Sequence, residues 1–119
     1  MTEEEKYYSN NKDEIVNAII NNSKGLVYDY KFEAWIDFIK HKKDDPNILK
    51  LLSFAVRITY SNQNSGITDE ERTIYKKLSS SEKNNLRIIL NTFFDEDVAY
   101  LTLANIEILD SEYQSSKII

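Results

Sequence analysis

The chain has 119 residues and a formal net charge of −5, with 41% hydrophobic and 29% charged residues, which is typical of a folded globular protein and excludes wholesale disorder. It contains no cysteine, which excludes disulfides, thiolate metal sites and cysteine nucleophiles. The N-terminal sequence is acidic and lacks the basic and apolar segments of a signal peptide, and no apolar run is long enough to cross a bilayer. We therefore expect a cytoplasmic protein that forms a single helical domain over residues 1–119.

The spacing of apolar residues along the chain is mostly helical, and two glycines and one proline leave few breaks. This pattern predicts an all-α fold, a compact antiparallel bundle of five or six helices joined by short loops. Thr2 begins a capping sequence, and the first helix is expected to run from there to a stop at Gly25. A second helix is predicted over 29–42. Asp45 followed by Pro46 then marks the start of a third.

The second half of the chain carries two further helix starts. Thr68 and Glu71 have the spacing of a capping box, and Ser79 and Glu82 repeat it before the next helix. The segment over 98–113 is predicted to be the sixth helix, although its apolar residues are also compatible with a strand. The helix and strand alternatives for this segment stay open at the level of sequence.

Catalytic and metal-binding residues are sparse. His41 is the only histidine and lies among lysines, without a nucleophile or orienting acid beside it. Asp95, Glu96 and Asp97 are consecutive acids, but they lack the alternation and central glycine of a calcium loop. Asp95 is better explained as the N-cap of the sixth helix. We expect a protein without enzymatic activity, and nothing in the sequence indicates a metal or a cofactor.

A nucleic-acid-binding function is the alternative hypothesis. Residues 68–94 have the order helix, serine-rich turn, helix, which is compatible with a helix-turn-helix. The second helix would present Lys83, Asn84, Asn85 and Arg87, which are residue types that contact base edges. The acidic net charge opposes this hypothesis, because contacts to phosphates supply much of the affinity of such proteins. Nucleic acid is therefore an unfavoured partner.

The last third of the chain is the most acidic part, since residues 88–119 contain six acidic residues and one basic residue. If the sixth segment is helical, five of its residues recur at spacings of four and three and form one exposed stripe. These are Glu96, Tyr100, Leu103, Glu107 and Asp110. Four apolar residues fall on the opposite side and are expected to face the core: Val98, Leu101, Ile108 and Leu109.

A surface that mixes tyrosine and apolar area with carboxylates is typical of sites that bind a basic protein. We therefore predict that the stripe binds such a partner, and that reversing Glu107 and Asp110 to lysine slows association at little cost in stability. The most concrete form of this hypothesis is an immunity protein or inhibitor that occludes a nuclease toxin in a bacterium. An ordinary solvated helix face is equally compatible with the pattern, and the partner and the oligomeric state stay open.

Overall fold

The computed structural model describes the backbone of residues 2–118 and the surroundings of the side chains of residues 2–111. Over that range it contains α-helices, one short 3-10 turn at Asp29–Lys31 and two isolated bridges, so the prediction of an all-α fold is confirmed. The helices are α1 (Glu3–Asn10), α2 (Lys12–Asn22), α3 (Phe32–His41), α4 (Pro46–Asn64), α5 (Asp69–Lys77), α6 (Ser80–Phe93) and α7 (Glu96–Ile118).

The helix count in the described range is seven, where five or six were predicted. The difference arises at Asn11, because the predicted first helix is divided there into α1 and α2. Asn11 has φ −117° and ψ 22°, and its side-chain amide donates to the carbonyl of Tyr7. Asparagine interrupts helices in this way because its side chain competes for backbone hydrogen bonds.

The later helix starts lie where the sequence predicts them. Asp45 Oδ1 accepts hydrogen bonds from the first turn of α4, and Pro46 is the first residue of that helix. Thr68 and Ser79 form complete capping boxes with Glu71 and Glu82 at the starts of α5 and α6. Side-chain chemistry within four residues therefore determines these boundaries.

Helix α4 is the centre of the fold and packs against α1, α2, α6 and α7. It buries residues on most of its circumference, including Leu49, Leu52, Phe54, Ala55 and Ile58. A helix that is apolar on several sides is stable only when other helices surround it. Helices α1, α2, α6 and α7 therefore cover α4 on several sides.

An aromatic cluster joins α3 to the junction between α6 and α7. Trp35 is fully buried, and its ring contacts the rings of Phe38, Phe93 and Phe94. Beside this cluster, the amide of Asp95 donates to the carbonyl of Leu26 at 2.8 Å. The loop after α2 and the start of α7 are therefore held together.

The segment that was compatible with helix or strand is the helix α7, which starts at Glu96 and continues to Ile118, beyond the predicted end at residue 113. Asp95 caps it as predicted, because its Oδ1 accepts from the amide of Asp97 at 3.0 Å and its carbonyl from the amide of Ala99 at 2.8 Å. Helix α7 packs against α4 and α6, and this packing decides which of its residues remain exposed.

Candidate protein-binding surface

The orientation predicted for α7 is wrong in part. Of the four apolar residues expected to face the core, Leu109 is buried and Val98 is half-buried, but Leu101 and Ile108 are 50% and 53% exposed. Among residues 96–111, the other buried residues of α7 are Ala99, Thr102 and Ile106. With 3.6 residues per turn, the buried side lies roughly 90° around the helix from the predicted one.

Small side chains occupy part of the buried side of α7. Ala99 and Thr102 lie there beside the larger Ile106 and Leu109. The Thr102 hydroxyl donates to the carbonyl of Val98 at 2.9 Å, so its burial leaves no unpaired donor. Helix α7 therefore buries two small and two large residues on this side and leaves Leu101 and Ile108 about half exposed.

The five residues of the predicted stripe are not equivalent. Glu96, Tyr100 and Glu107 are exposed, and Tyr100 has 72% of its surface in solvent. Leu103 is half-buried and packs against the hydrophobic core. Asp110 is half-buried and bound to other residues of the protein. The exposed face therefore keeps three of the five predicted residues.

Asp110 belongs to a hydrogen-bonded network that joins α5, α6 and α7. Its Oδ1 accepts from the Tyr75 hydroxyl at 2.8 Å, and its Oδ2 accepts from Arg87 Nη2 at 2.5 Å. Arg87 Nη2 also donates to the Tyr75 hydroxyl at 3.1 Å. Burial, followed by the hydrogen bond to Asp110, raises the pKa of Tyr75 to about 12. Reversing the charge of Asp110 would break this network, so we now expect that reversal to lower stability, whereas the sequence alone predicted little loss.

The exposed side of α7 is here called the acidic–apolar face. Within residues 96–110, seven exposed residues form it: Glu96, Asp97, Tyr100, Leu101, Ala104, Glu107 and Ile108. Among residues 96–111, α7 contains four acidic residues and no basic one. Tyr100, Leu101 and Ile108 are large, exposed and on one helix face. On an ordinary protein surface, exposed hydrophobic side chains are usually scattered singly. The face therefore combines apolar contact area with negative charge.

Two tyrosines from the loop after α2 extend this face at the start of α7. The Tyr28 hydroxyl accepts from the amide of Glu96 at 2.7 Å, and the Tyr28 ring stacks on Tyr30 with 5.1 Å between centroids. Tyr30 is 78% exposed. Lys31 lies near both rings and donates from Nζ to the carbonyl of Thr92 at 2.8 Å, which fixes the loop against the end of α6.

The sequence gives little indication of these tyrosines as part of the surface. Tyr28 and Glu96 lie 68 positions apart, and only the fold brings them together. The one local hint in the sequence is the segment Tyr28-Asp29-Tyr30, in which two aromatic residues flank an acidic residue shortly before a helix.

The predicted recognition helix corresponds to α6, and its two candidate cations contact the protein itself. Lys83 Nζ lies 4.8 Å from the centroid of the Tyr75 ring, and Arg87 is bound to Asp110. Asn84 and Asn85 are exposed. A helix that binds DNA needs its cations for phosphates and bases, so the engagement of Lys83 and Arg87 does not favour that function.

The residues with metal-binding or catalytic potential do not converge. Among the described side chains there is no group of three or more His, Asp or Glu residues that could hold a metal ion. His41 is the last residue of α3, and its Nδ1 lies 2.8 Å from the carbonyl of Asp37 on the exposed side of the helix. Over the range that the structure describes, none of the helices combines the length and the apolar character needed to cross a membrane.

Comparison of the chain with protein-family models, with curated proteins and with solved structures finds no significant match.

Proposed function

We propose that this protein is a binding module that uses the acidic–apolar face of α7 to bind a basic protein. The observation that carries the proposal is the exposure of Tyr100, Leu101 and Ile108 on a helix whose acidic residues Glu96, Asp97 and Glu107 share the same face. Binding, and not catalysis, is the proposed mode of action.

The apolar members of the face supply the contact area. Aromatic and aliphatic side chains at the centre of an interface contribute most of its binding energy, because they lose contact with water when the partner covers them. Tyr100 is suited to this role, since a partner could cover the large area of its exposed ring while forming a hydrogen bond with its hydroxyl. Tyr30 adds a second exposed ring next to the start of α7.

The acidic members of the face select the partner. A second copy of this chain would bring two acidic faces together, and like charges oppose such a contact. A basic surface would instead be attracted at a distance and would pair with Glu96 and Glu107 at the rim of the interface. Charge complementarity therefore favours a basic protein over self-association through α7.

The most concrete form of the proposal is an immunity protein or inhibitor, acting in the cytoplasm of a bacterium, that neutralises a nuclease toxin. A nuclease carries a basic surface because it must hold a polyanion, and an acidic protein can occlude that surface. A helix-turn-helix regulator that uses residues 68–94 is less well supported, because Arg87 and Lys83 contact Asp110 and Tyr75 instead of projecting freely.

Site-specific photo-crosslinking in a bacterial lysate from the native host tests the proposal. A photoreactive phenylalanine analogue is placed at Tyr100 and, as a matched control, at Tyr7, which is also an exposed tyrosine on a helix but lies on α1. We expect the Tyr100 variant to form a covalent adduct with a basic protein and the Tyr7 variant not to do so.

The yield of the adduct at position 100 should also fall at high ionic strength and when Glu107 is replaced by lysine, because both changes reduce the attraction between acidic and basic surfaces. Identical adducts from both positions, or an adduct insensitive to salt and to Glu107→Lys, would contradict the proposal.

A further inference from the structure

A cleft of about 750 Å³ lies between α2, the loop that follows it and α4. Its apolar part is formed by buried residues, including Ile19, Leu26 and Val56. Its rim is polar, and it carries the half-exposed ring of Tyr60. Clefts of this size, with an apolar floor and a few polar groups, are typical of sites for small molecules.

The charge of this cleft differs from that of the rest of the protein. The chain has 20 acidic residues, but none of those whose side chains the structure describes lines the cleft, whereas Lys24 and Arg57 both do. Two smaller clefts, of about 140 and 250 Å³, are both lined by Glu4 and Glu82. In an acidic protein, a cleft with two cations and no carboxylate favours an anionic ligand.

Several polar groups of the rim are available to a ligand. Within the part of the chain that the structure describes, the side chains of Asn21, Asn22, Lys24, Tyr60 and Ser61 make no hydrogen bond to the protein. Arg57 pairs with Glu70 at 2.7 Å, but both side chains are substantially exposed, and such surface pairs exchange readily for other partners. Apart from Arg57, which a ligand would share with Glu70, these polar groups of the rim make no hydrogen bond to the described residues and are available to a ligand.

The walls of the cleft are held in place before any ligand arrives. In the loop after α2, Gly25 has φ 84°, a conformation that glycine adopts without strain, and the amides of Leu26 and Val27 donate to the carbonyl of Ser23. The carbonyl of Leu26 accepts from the amide of Asp95. The opposite wall is the central helix α4. A preformed cleft lowers the entropic cost of binding.

We infer that this cleft is a second site, distinct from the acidic–apolar face, that binds a small amphipathic anion. The aromatic or aliphatic body of the ligand would lie on the floor and against the Tyr60 ring. Its sulfonate, carboxylate or phosphate group would accept hydrogen bonds from Lys24 and Arg57. The asparagine and serine side chains of the rim would contact its remaining polar atoms.

Fluorescence titration with anilinonaphthalene sulfonate tests this inference on the whole chain. The control ligand is N-phenylnaphthylamine, which has the same aromatic body without the sulfonate. We expect one saturable site for the sulfonate compound and at least about tenfold weaker binding of the neutral compound, because the neutral compound cannot use the cations. No saturable binding, or equal affinity for both compounds, would overturn the inference.

Two variants locate the site. Lys24→Gln should weaken binding of the sulfonate about fivefold, as expected for loss of one charged contact at an exposed position, whereas Lys77→Gln on α5 should not. Ala18→Trp places a large ring in the cleft and should abolish binding. Unchanged binding by a folded Ala18→Trp variant would overturn the inference. If circular dichroism shows that Ala18→Trp is unfolded, the comparison of Lys24→Gln with Lys77→Gln becomes the test. Equal affinities of those two variants for the sulfonate compound would then overturn the inference.

Discussion

The hydroxyl of Tyr75 on α5 donates a hydrogen bond of 2.8 Å to Asp110 on α7, and Arg87 on α6 binds both residues. One network of three side chains thus fixes the three C-terminal helices relative to one another. Because Asp110 has this internal role, it is not equivalent to the acids that α7 presents to solvent. Asp110 contacts α5 and α6 inside the protein, whereas Glu96, Asp97 and Glu107 of the same helix are exposed to solvent.

Replacing Tyr75 by phenylalanine tests the strength of the network. The ring stays in place, but Asp110 loses one hydrogen bond, so we expect the free energy of unfolding to fall by about 1–2 kcal/mol. Urea denaturation followed by circular dichroism measures the change. The control is Tyr60→Phe, whose hydroxyl makes no hydrogen bond within the described residues and whose removal should change stability by less than about 0.5 kcal/mol. Equal effects of the two substitutions would contradict the network.

The raised pKa of Tyr75 predicts a dependence of stability on alkaline pH. In the folded state the Tyr75 hydroxyl has a pKa of about 12, whereas in the unfolded chain a tyrosine loses its proton near the ordinary pKa of 10.0. The folded state therefore binds more protons between these values, and the stability that Tyr75 contributes is present below pH 10 and is lost as the pH rises toward 12.

Stability measured against pH for the wild type and for Tyr75→Phe isolates this contribution, because the lysines and the remaining tyrosines titrate in both proteins. We expect the difference between the two proteins to shrink as the pH rises above 10. A difference that stays constant up to pH 12 would show that Tyr75 does not carry the predicted linkage.

Ser23 is predicted to be essential for the packing of Trp35. The indole Nε1 of fully buried Trp35 donates to Ser23 Oγ at 2.9 Å, and Ser23 donates in turn to the carbonyl of Ile20. Ser23→Ala leaves the buried indole N–H without a partner and should lower the free energy of unfolding by about 1–3 kcal/mol. Ser61→Ala, at a half-buried serine without such a bond, is the matched control for urea denaturation. A loss no larger than that of the control would refute this role.

Replacing Arg87 by alanine tests whether this residue stabilises the fold or binds DNA. Because its guanidinium is bound to Asp110 and Tyr75, we expect Arg87→Ala to lower the free energy of unfolding by about 1–3 kcal/mol. We also expect fluorescence anisotropy with a duplex oligonucleotide to detect no salt-dependent affinity of the wild-type protein. Salt-dependent binding that Arg87→Ala weakens would instead support the helix-turn-helix hypothesis.

The parts of the fold that sequence reasoning predicts are those with local causes. Thr68 and Ser79 begin α5 and α6 because each meets its capping partner three residues later, and Asp95 caps α7 for a similar reason. Asn11 shows the limit of local reasoning, since an asparagine among helix-forming residues can either continue a helix or end one. In the structure the Asn11 side chain donates to the carbonyl of Tyr7, and α1 ends there.

The candidate surface is less predictable because long-range packing forms it. The spacing of hydrophobic residues predicts that Leu101 and Ile108 face the core. In the structure both are about half exposed, whereas the smaller Ala99 and Thr102 are buried. The contact between Tyr28 and Glu96 also depends on how the loop after α2 meets α7, which no spacing in the sequence encodes. The acidic character of the C-terminal third was predictable, whereas the apolar half of the face required the structure.

The most direct test of the central claim, that α7 binds a basic protein through its acidic–apolar face, measures association kinetics with the protein recovered by crosslinking. Two pairs of variants are matched for residue type and exposure: Glu107→Lys with Glu14→Lys, and Tyr100→Ala with Tyr7→Ala. The first member of each pair lies on the face, and the second lies on α2 or α1.

We predict that Glu107→Lys slows association about tenfold at low salt, because it removes long-range attraction, and that Tyr100→Ala mainly speeds dissociation, because it removes buried contact area. Both control variants should behave like the wild type. If Glu107→Lys and Glu14→Lys change the association rate equally, and Tyr100→Ala and Tyr7→Ala leave dissociation unchanged, the face on α7 is not the binding surface.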